Sequence, residues 1–173
     1  MKLIYIFIIS VFCIVNSYSQ ELITAEQAKA KKLQGLIKEI THSRIYYTYY
    51  YQGIKDGAFV QTGMKGDIGI VGEYKNNEMC GTWYYFESNG MLMFKLDQFT
   101  RNTDLVVNNN DYKNLIPEFR CFSTAYHSNG KVKDEGILLW CDGDSPESDM
   151  SIEYGEWKYY DTDGKLIKTT VFK

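Results

Sequence analysis

The sequence is poor in the side chains on which most catalytic and metal sites depend. It contains two histidines, His42 and His127, and four cysteines without a CxxC spacing. It also lacks a G-x-S-x-G elbow, an HExxH motif and a phosphate-binding glycine loop. A zinc site needs closely spaced thiolates and imidazoles. We therefore expect neither catalysis nor a bound cofactor.

Excess positive charge and long apolar segments are also missing. The chain has 19 Lys and Arg against 22 Asp and Glu, a net charge of −3, so it would weakly repel nucleic acid. Beyond the N-terminus no apolar run approaches the roughly 18 residues of a membrane span. The content of 45% hydrophobic and 24% charged residues is typical of globular proteins. We expect one folded domain that neither binds nucleic acid nor spans a membrane.

The N-terminus has the features of a secretory signal peptide. One lysine precedes an apolar core at 3–15, which is too short to cross a bilayer. Small residues at 17 and 19 suit cleavage before Gln20, so we predict a signal peptide over 1–19. Lipid attachment at Cys13 is the alternative, although bulky residues precede that cysteine where small ones are needed. We expect the mature protein to be periplasmic, at the cell surface or secreted.

Three cysteines remain after signal removal, in a compartment that permits disulfides. An odd number leaves at least one thiol free or bonded to another molecule. Cys121 and Cys141 flank a turn predicted at Asn129-Gly130, so we expect these two cysteines to form a disulfide.

The chain repeats itself. Residues 81–92 match residues 155–166 without a gap, and Gly, Trp, Tyr, Gly and Leu coincide. A third copy covers 126–132, and a degenerate fourth covers 57–66. Each copy contains one turn glycine: Gly66, Gly90, Gly130 and Gly164. Self-similarity of this kind predicts a repeated supersecondary unit.

One repeat has the pattern of a β-hairpin. Aromatic and β-branched residues alternate on both sides of Asn-Gly or Asp-Gly pairs, which accept the positive φ of a two-residue hairpin turn. We therefore predict a mainly β protein, an antiparallel meander of hairpins in an open sheet. Its buried face would hold Phe59, Trp83, Tyr85, Trp157 and Tyr159. The uneven spacing of the turn glycines predicts surface insertions near 97–117 and 142–150.

A different segment, at 20–44, precedes the repeat domain at 45–173. Thr24 and Gln27 can form a capping box, and apolar residues then recur at helical spacing. We predict one N-terminal amphipathic helix, from Ala25 to Ile40, that covers the open end of the sheet. Because its polar face is basic, docking on a membrane or partner is the alternative.

The repeat resembles the MORN repeat in its bacterial variant form. The resemblance is strong at 72–92, where the hairpin contains G-T-W-Y-Y-F and then S-N-G, and at 155–166. It extends in weaker form over 57–172. Asn77 stands where the first turn of the motif has glycine. The resemblance implies an elongated array of β-hairpins that acts in protein interaction or in scaffolding near membranes.

A weak calcium motif lies in the second predicted insertion. Asp142, Asp144 and Glu153 occupy positions 1, 3 and 12 of a calcium-binding loop. Pro146 stands where an oxygen ligand belongs, and Glu147 replaces the turn glycine. The alternative to a metal site is an acidic, solvated hairpin tip.

Tyrosines supply the candidate binding surface. In a strand predicted at 45–51, Tyr46 and Tyr50 share one face. A single-layer meander can leave one face exposed, and we predict a ribbon of tyrosines there: Tyr46, Tyr50, Tyr84 and Tyr160. The alternative is that the sheet curls and the helix buries many of them.

These observations favour an exported interaction module or scaffold of the cell envelope that performs no catalysis. Its partner would be an envelope protein. Binding of glycan or cell wall through the aromatic face is the alternative, because tyrosine is a good anchor for sugar rings. A small hydrolase is a third hypothesis in which His127 would act, although His127 matches the turn-flanking acids Glu87 and Asp161 of other copies.

Overall fold

A computed structural model describes residues 23–141 and 150–173, so the predicted signal peptide lies outside the described residues. In the described part, one short helix precedes ten strands, which form one antiparallel sheet in chain order. The elements are α1 (Ala25–Ala30), β1 (Gly35–Thr41), β2 (Arg44–Tyr51), β3 (Ile54–Gly63), β4 (Ile68–Lys75), β5 (Glu78–Phe86), β6 (Leu92–Arg101), β7 (Phe119–Tyr126), β8 (Val132–Cys141), β9 (Met150–Tyr160) and β10 (Leu166–Phe172). The predicted open meander is confirmed, and β1 and β10 are its edges.

The helix is shorter than predicted. Thr24 and Gln27 do form the capping box, because each side chain accepts a hydrogen bond from the backbone N–H of the other. The helix nevertheless ends at Ala30, and Gly35–Thr41 is a strand. Pairing of β1 with β2 over seven residues overrides the helical spacing of the apolar residues. The prediction of a helix to Ile40 is wrong, and the sheet begins at Gly35.

One row of residues runs across all ten strands on a side of the sheet that we call the inner face. Adjacent members are cross-strand partners or meet at a β-bulge: Ile37, Thr48, Phe59, Gly72, Trp83, Leu96, Ser123, Gly136, Trp157 and Thr170. Leu96 is fully buried, and Trp83 and Trp157 are 2% and 3% exposed. Burial of such large apolar side chains is the main stabilising contribution to this sheet.

Each of these tryptophans lies over a glycine on the neighbouring strand. A Cβ atom at Gly72 would come within 2.3 Å of the Trp83 ring, and one at Gly136 within 2.5 Å of the Trp157 ring. Both indole N–H groups donate to backbone carbonyls, Trp83 to Cys80 at 3.0 Å and Trp157 to Ile137 at 2.9 Å. The sequence repeat is therefore also a structural repeat, with the same glycine socket in both copies.

The four turn glycines occupy one kind of turn. In each hairpin the last residue before the turn donates its N–H to the carbonyl of the residue four positions later in the chain. The turn glycine, three positions later, donates its own N–H to the carbonyl of that same first residue. Each loop thus has three residues, with the glycine in the left-handed region at φ between +80° and +88°. The predicted two-residue turns at Asn89-Gly90, Asn129-Gly130 and Asp163-Gly164 are therefore wrong. A two-residue turn is found instead at Asn76-Asn77, where both residues have positive φ.

The two ends of the sheet are covered differently. At the N-terminal end Ala28 of α1 is buried against Ile37 and Tyr50 on the inner face. At the other end the connection between β6 and β7 reaches the last strands, where Asn109 donates to the carbonyl of Lys173 at 3.5 Å. The connection consists of residues 102–118. The predicted insertion at 97–117 therefore begins too early, because residues 97–101 belong to β6. In the second predicted insertion, residues 142–149 lie outside the described residues.

The predicted disulfide is not formed. Cys80, Cys121 and Cys141 are all free thiols. Cys121 pairs with Leu138 on β8, so Cys141 lies three residues farther along that strand, about 10 Å away, and points to the opposite face. The prediction placed the two strands correctly but not their register. Burial raises the pKa of the Cys121 thiol to about 12.

Candidate binding surface

Two of the four predicted surface tyrosines point to the inner face. Tyr50 is 2% exposed and packs with Ala28, and Tyr46 packs beside the Phe59 ring at a centroid distance of 6.2 Å. Burial, with a smaller contribution from Glu39, raises the pKa of Tyr50 to about 12. The predicted exposed ribbon is therefore wrong at Tyr46 and Tyr50, because α1 and the Phe59 cluster cover this end of the inner face.

The other two tyrosines lie on the opposite side of the sheet, which we call the outer face. Tyr84 is on β5 and is 38% exposed, and Tyr160 is on β9 and is half-buried. Four strand spacings separate β5 from β9, a distance of about 19 Å. The two side chains therefore belong to separate places on one face and cannot hold the same small ligand.

Tyr84 is part of an apolar surface that extends from β5 to β8. We call it the outer patch, and its members are Tyr84, Met93, Phe122 and Ile137, at 38%, 40%, 40% and 36% exposure. Phe122 and Ile137 are direct cross-strand partners. Tyr84 pairs with Lys95, two residues from Met93, so Tyr84 and Met93 are diagonal neighbours. Neighbours of both kinds lie within about 8 Å, which makes each pair contiguous.

A salt bridge lies between the two halves of the outer patch. Lys95 Nζ is 2.6 Å from Asp97 Oδ2, and Asp97 Oδ1 accepts a hydrogen bond from Thr82 Oγ1 at 3.0 Å. The hydrogen bond with Asp97 raises the pKa of Lys95, which stays charged at neutral pH. Lys95 pairs with Tyr84, and Asp97 pairs with Phe122. One oriented ion pair therefore separates the two apolar pairs of the outer patch.

Three members of the outer patch were not among the predicted site residues. The signal for Phe122 was present, because it alternates with Cys121 and Ser123, which are both buried. An aromatic residue between two inward positions must point outward. Met93 and Ile137 carry no comparable signal in one sequence, because only the register of β6 to β8 places them beside Tyr84 and Phe122.

Tyr160 lies at a shallow groove of about 450 Å³ between two hairpin turns, lined also by Lys131, Val132 and Glu135. Its hydroxyl donates to Glu135 Oε1 at 2.6 Å, which raises the pKa of Tyr160. The ring of His127 is 2.9 Å from the carbonyl oxygen of Tyr160, so its Nε2 donates there. His127 thereby joins the two turns, a structural role that leaves this nitrogen occupied.

Glu153 lies among polar groups on the inner face. It pairs with Leu138, and Tyr159 hydrogen-bonds to its carboxylate. Burial, and then the charge of Asp134, raises the pKa of Glu153. Asp142 and Asp144 of the calcium motif lie outside the described residues, so that metal site stays a prediction.

Residues 23–141 and 150–173 contain no group of three or more His, Cys, Asp or Glu side chains placed to hold a metal ion. The same residues contain no helix that is long and apolar enough to span a membrane. Comparison of the chain with models of known protein families and with curated proteins finds no match to either.

Proposed function

We propose that the protein is an exported interaction module of the cell envelope that performs no catalysis and binds a protein partner through the outer patch. The observation that carries this proposal is the exposure of four large apolar side chains across β5 to β8. Exposed apolar side chains that cluster on one face are typical of interaction sites, whereas single exposed ones are common and carry no meaning.

The chemistry of the outer patch favours a protein over a glycan. Phe122, Ile137 and Met93 offer no hydrogen-bonding groups to sugar hydroxyls, and the charges of Lys95 and Asp97 already satisfy each other. A protein interface combines exposed apolar side chains with a few oriented polar groups, and the outer patch supplies both. Aromatic side chains are also the residues that most often dominate binding energy between proteins.

Two features of the chain support the remaining parts of the proposal. The signal-like segment at 1–19 supports export. The recurring glycine socket and the recurring three-residue turn support a relationship to MORN-variant repeats, whose family role is protein interaction.

The test is cross-linking in intact cells, followed by affinity recovery of the tagged full chain. A Phe122→Thr and Ile137→Thr double variant removes the β7–β8 half of the outer patch and places a β-branched side chain, which suits a strand, at both positions. We expect one abundant envelope protein with the natural chain and about tenfold less with the double variant, the loss that removal of binding side chains worth about 1.4 kcal/mol produces.

A Met64→Thr variant is the matched control. Met64 is 58% exposed in a turn remote from the outer patch, so the control removes a similar apolar surface elsewhere. Equal recovery of the partner with the double variant, or recovery of the protein alone, would overturn the proposal. Retention of the natural chain on cell-wall polysaccharide without any protein partner would replace it by the glycan alternative.

A further inference from the structure

We propose that the protein assembles with further copies of itself by pairing strand β10 of one copy with strand β1 of the next, so that one sheet continues from molecule to molecule. The surface used is the two edges of the sheet, and it does not involve the outer patch. The two strands match in length, register, charge and exposed apolar residues.

The two edge strands match in length and direction. β1 and β10 each have seven residues, and each pairs with one neighbouring strand. A sheet edge of this kind presents unpaired N–H and C=O groups to solvent. Because the sheet has an even number of antiparallel strands in chain order, β1 of a second copy in the same orientation lies antiparallel to β10.

The inner row sets the register. It begins at Ile37 on β1 and ends at Thr170 on β10, so continuing it places Ile37 of one copy opposite Thr170 of another. Ile37 is 7% exposed, and the Thr170 hydroxyl is buried without a hydrogen-bond partner among the described residues. The register aligns residues 35–39 of one copy with residues 168–172 of the other. Three of the five pairs join inner-face residues, and the other two join outer-face residues, so no pair mixes the two faces.

The exposed apolar residues of the two edges meet in this register. Leu36 and Val171, which are 56% and 64% exposed, become direct partners on the outer face. Ile40, at 42% exposure, lies beside the bulge at Ile167, which is 64% exposed. In a single copy both edge strands thus expose large apolar side chains. Pairing of β10 with β1 brings these side chains into contact and shields them from water.

The charges of the two edges are complementary in the same register. Glu39 and Lys168 become direct partners on the inner face, two residues along the strands from Ile37 and Thr170. Opposite charges across a strand pair are favourable and like charges are unfavourable. A shift by one residue would instead turn the apolar residues of one strand toward the other face.

Such a contact joins two different surfaces, so it does not close on itself in a dimer. We expect sedimentation velocity of the purified protein to show an open series of oligomers that grows with concentration. A monomer at every concentration, or a dimer that grows no further, would overturn the proposal.

Charge reversal tests the register. Glu39→Lys places two lysines in the contact, and Lys168→Glu places two glutamates there, so each variant alone should assemble about tenfold more weakly. In an equal mixture, copies of the two variants can alternate along the assembly, and every contact between them then joins opposite charges. Assembly of the mixture should therefore return. Failure of the mixture to assemble better than either variant alone contradicts this pairing.

The mixture also separates assembly from folding, because a misfolded variant would not regain assembly from its counterpart. A Val171→Lys variant should abolish growth of the series, since it places a charge opposite Leu36. Met64→Lys is the matched control, because it adds the same charge at an exposed apolar residue away from both edges. Equal assembly of Val171→Lys and Met64→Lys would count against the proposal.

Discussion

The two glycine sockets follow the same local rule in different surroundings. Trp83 lies in the middle of the sheet, with the rings of Phe59 and Tyr74 at centroid distances of 5.3 and 5.2 Å. Trp157 lies one strand from the edge, and its ring is 6.5 Å from that of Tyr159. The repeat therefore sets the tryptophan and its glycine, whereas the position in the array sets what else packs against the indole.

The ends of the inner face differ in the same way. At the N-terminal end Tyr50 is enclosed by apolar residues that include Ala28 and Ile37. At the C-terminal end Glu153 lies with Asp134 and Tyr159 near the edge strand. Burial raises the pKa of both Tyr50 and Glu153, but it penalises a phenolate at one end and a carboxylate at the other. One face thus combines an apolar end with a polar end.

The largest expected effect comes from emptying the two sockets. Trp83→Ala should lower the free energy of unfolding by about 3 to 5 kcal/mol, the usual cost of truncating a buried large aromatic side chain. Trp157→Ala should cost less, by about 1 to 2 kcal/mol, because within residues 23–141 and 150–173 Trp83 has two close ring contacts and Trp157 has one distant one. Chemical denaturation of both variants measures the difference.

Tyr84→Ala is the control for this comparison, because Tyr84 is the outward neighbour of Trp83 and is 38% exposed. Tyr84→Ala should lower the free energy of unfolding far less than Trp83→Ala does. Equal losses for Trp83→Ala and Trp157→Ala would show that the surroundings of the socket contribute little beyond the socket itself.

A smaller effect is expected at the apolar end. Tyr50→Phe removes a buried hydroxyl that has no hydrogen-bond partner among the described residues, so it should raise stability by up to about 1 kcal/mol. The pH dependence has a definite sign. The folded state holds the Tyr50 proton more tightly, so stability falls as pH rises from 10 to about 12.

The Tyr50→Phe variant has no phenol at this position to ionise, so it does not lose stability in this way. Its stability relative to the natural chain should therefore increase from pH 10 to about pH 12. Thermal unfolding at pH 8, 10 and 11 tests it. Tyr160→Phe is the contrasting control, because it removes a hydroxyl that is bonded to Glu135. A Tyr50→Phe variant that loses stability at pH 8 would mean that the hydroxyl is hydrated or bonded in solution.

Local patterns in the sequence predict the hairpins, whereas register and tertiary cover decide the rest. Trp157 stands between two charged residues, and Trp83 stands between Thr82 and Tyr84, so their inward direction follows from a period of two. The length of α1 could not be predicted in this way, because Ile37 fits both a helical stripe and a strand that pairs with β2. The mismatch of Cys121 and Cys141 arises from register, which a three-residue turn and later bulges alter without changing the pattern.

The candidate surface was predicted in part for the same reason. The period of two correctly separates Tyr46 and Tyr50 from Tyr47 on β2. It does not say which of the two faces α1 will cover, because that depends on the packing of Ala28. Tyr84 was found as an outward aromatic residue on β5, whereas its apolar neighbours on β6 to β8 required the pairing of three further strands.

The smallest expected effect lies at the polar end, where Glu153→Gln removes a charge and keeps an oxygen that accepts from Tyr159. The pKa of Glu153 is raised from its ordinary value of 4.5, so the folded state binds this proton more tightly than the unfolded state does. The protein therefore loses stability as the pH rises from 4.5 through the pKa of the folded state. The variant should therefore be the more stable protein at pH 7, by less than about 1 kcal/mol because solvent screens this group, and should lose that advantage below pH 4. Thermal unfolding at pH 7 and pH 3.5 measures both values. A variant that is less stable than the natural chain at pH 7 would mean that the hydrogen bond from Tyr159 and the attraction to Lys168 together outweigh burial and Asp134, and that the carboxylate stabilises this end of the sheet.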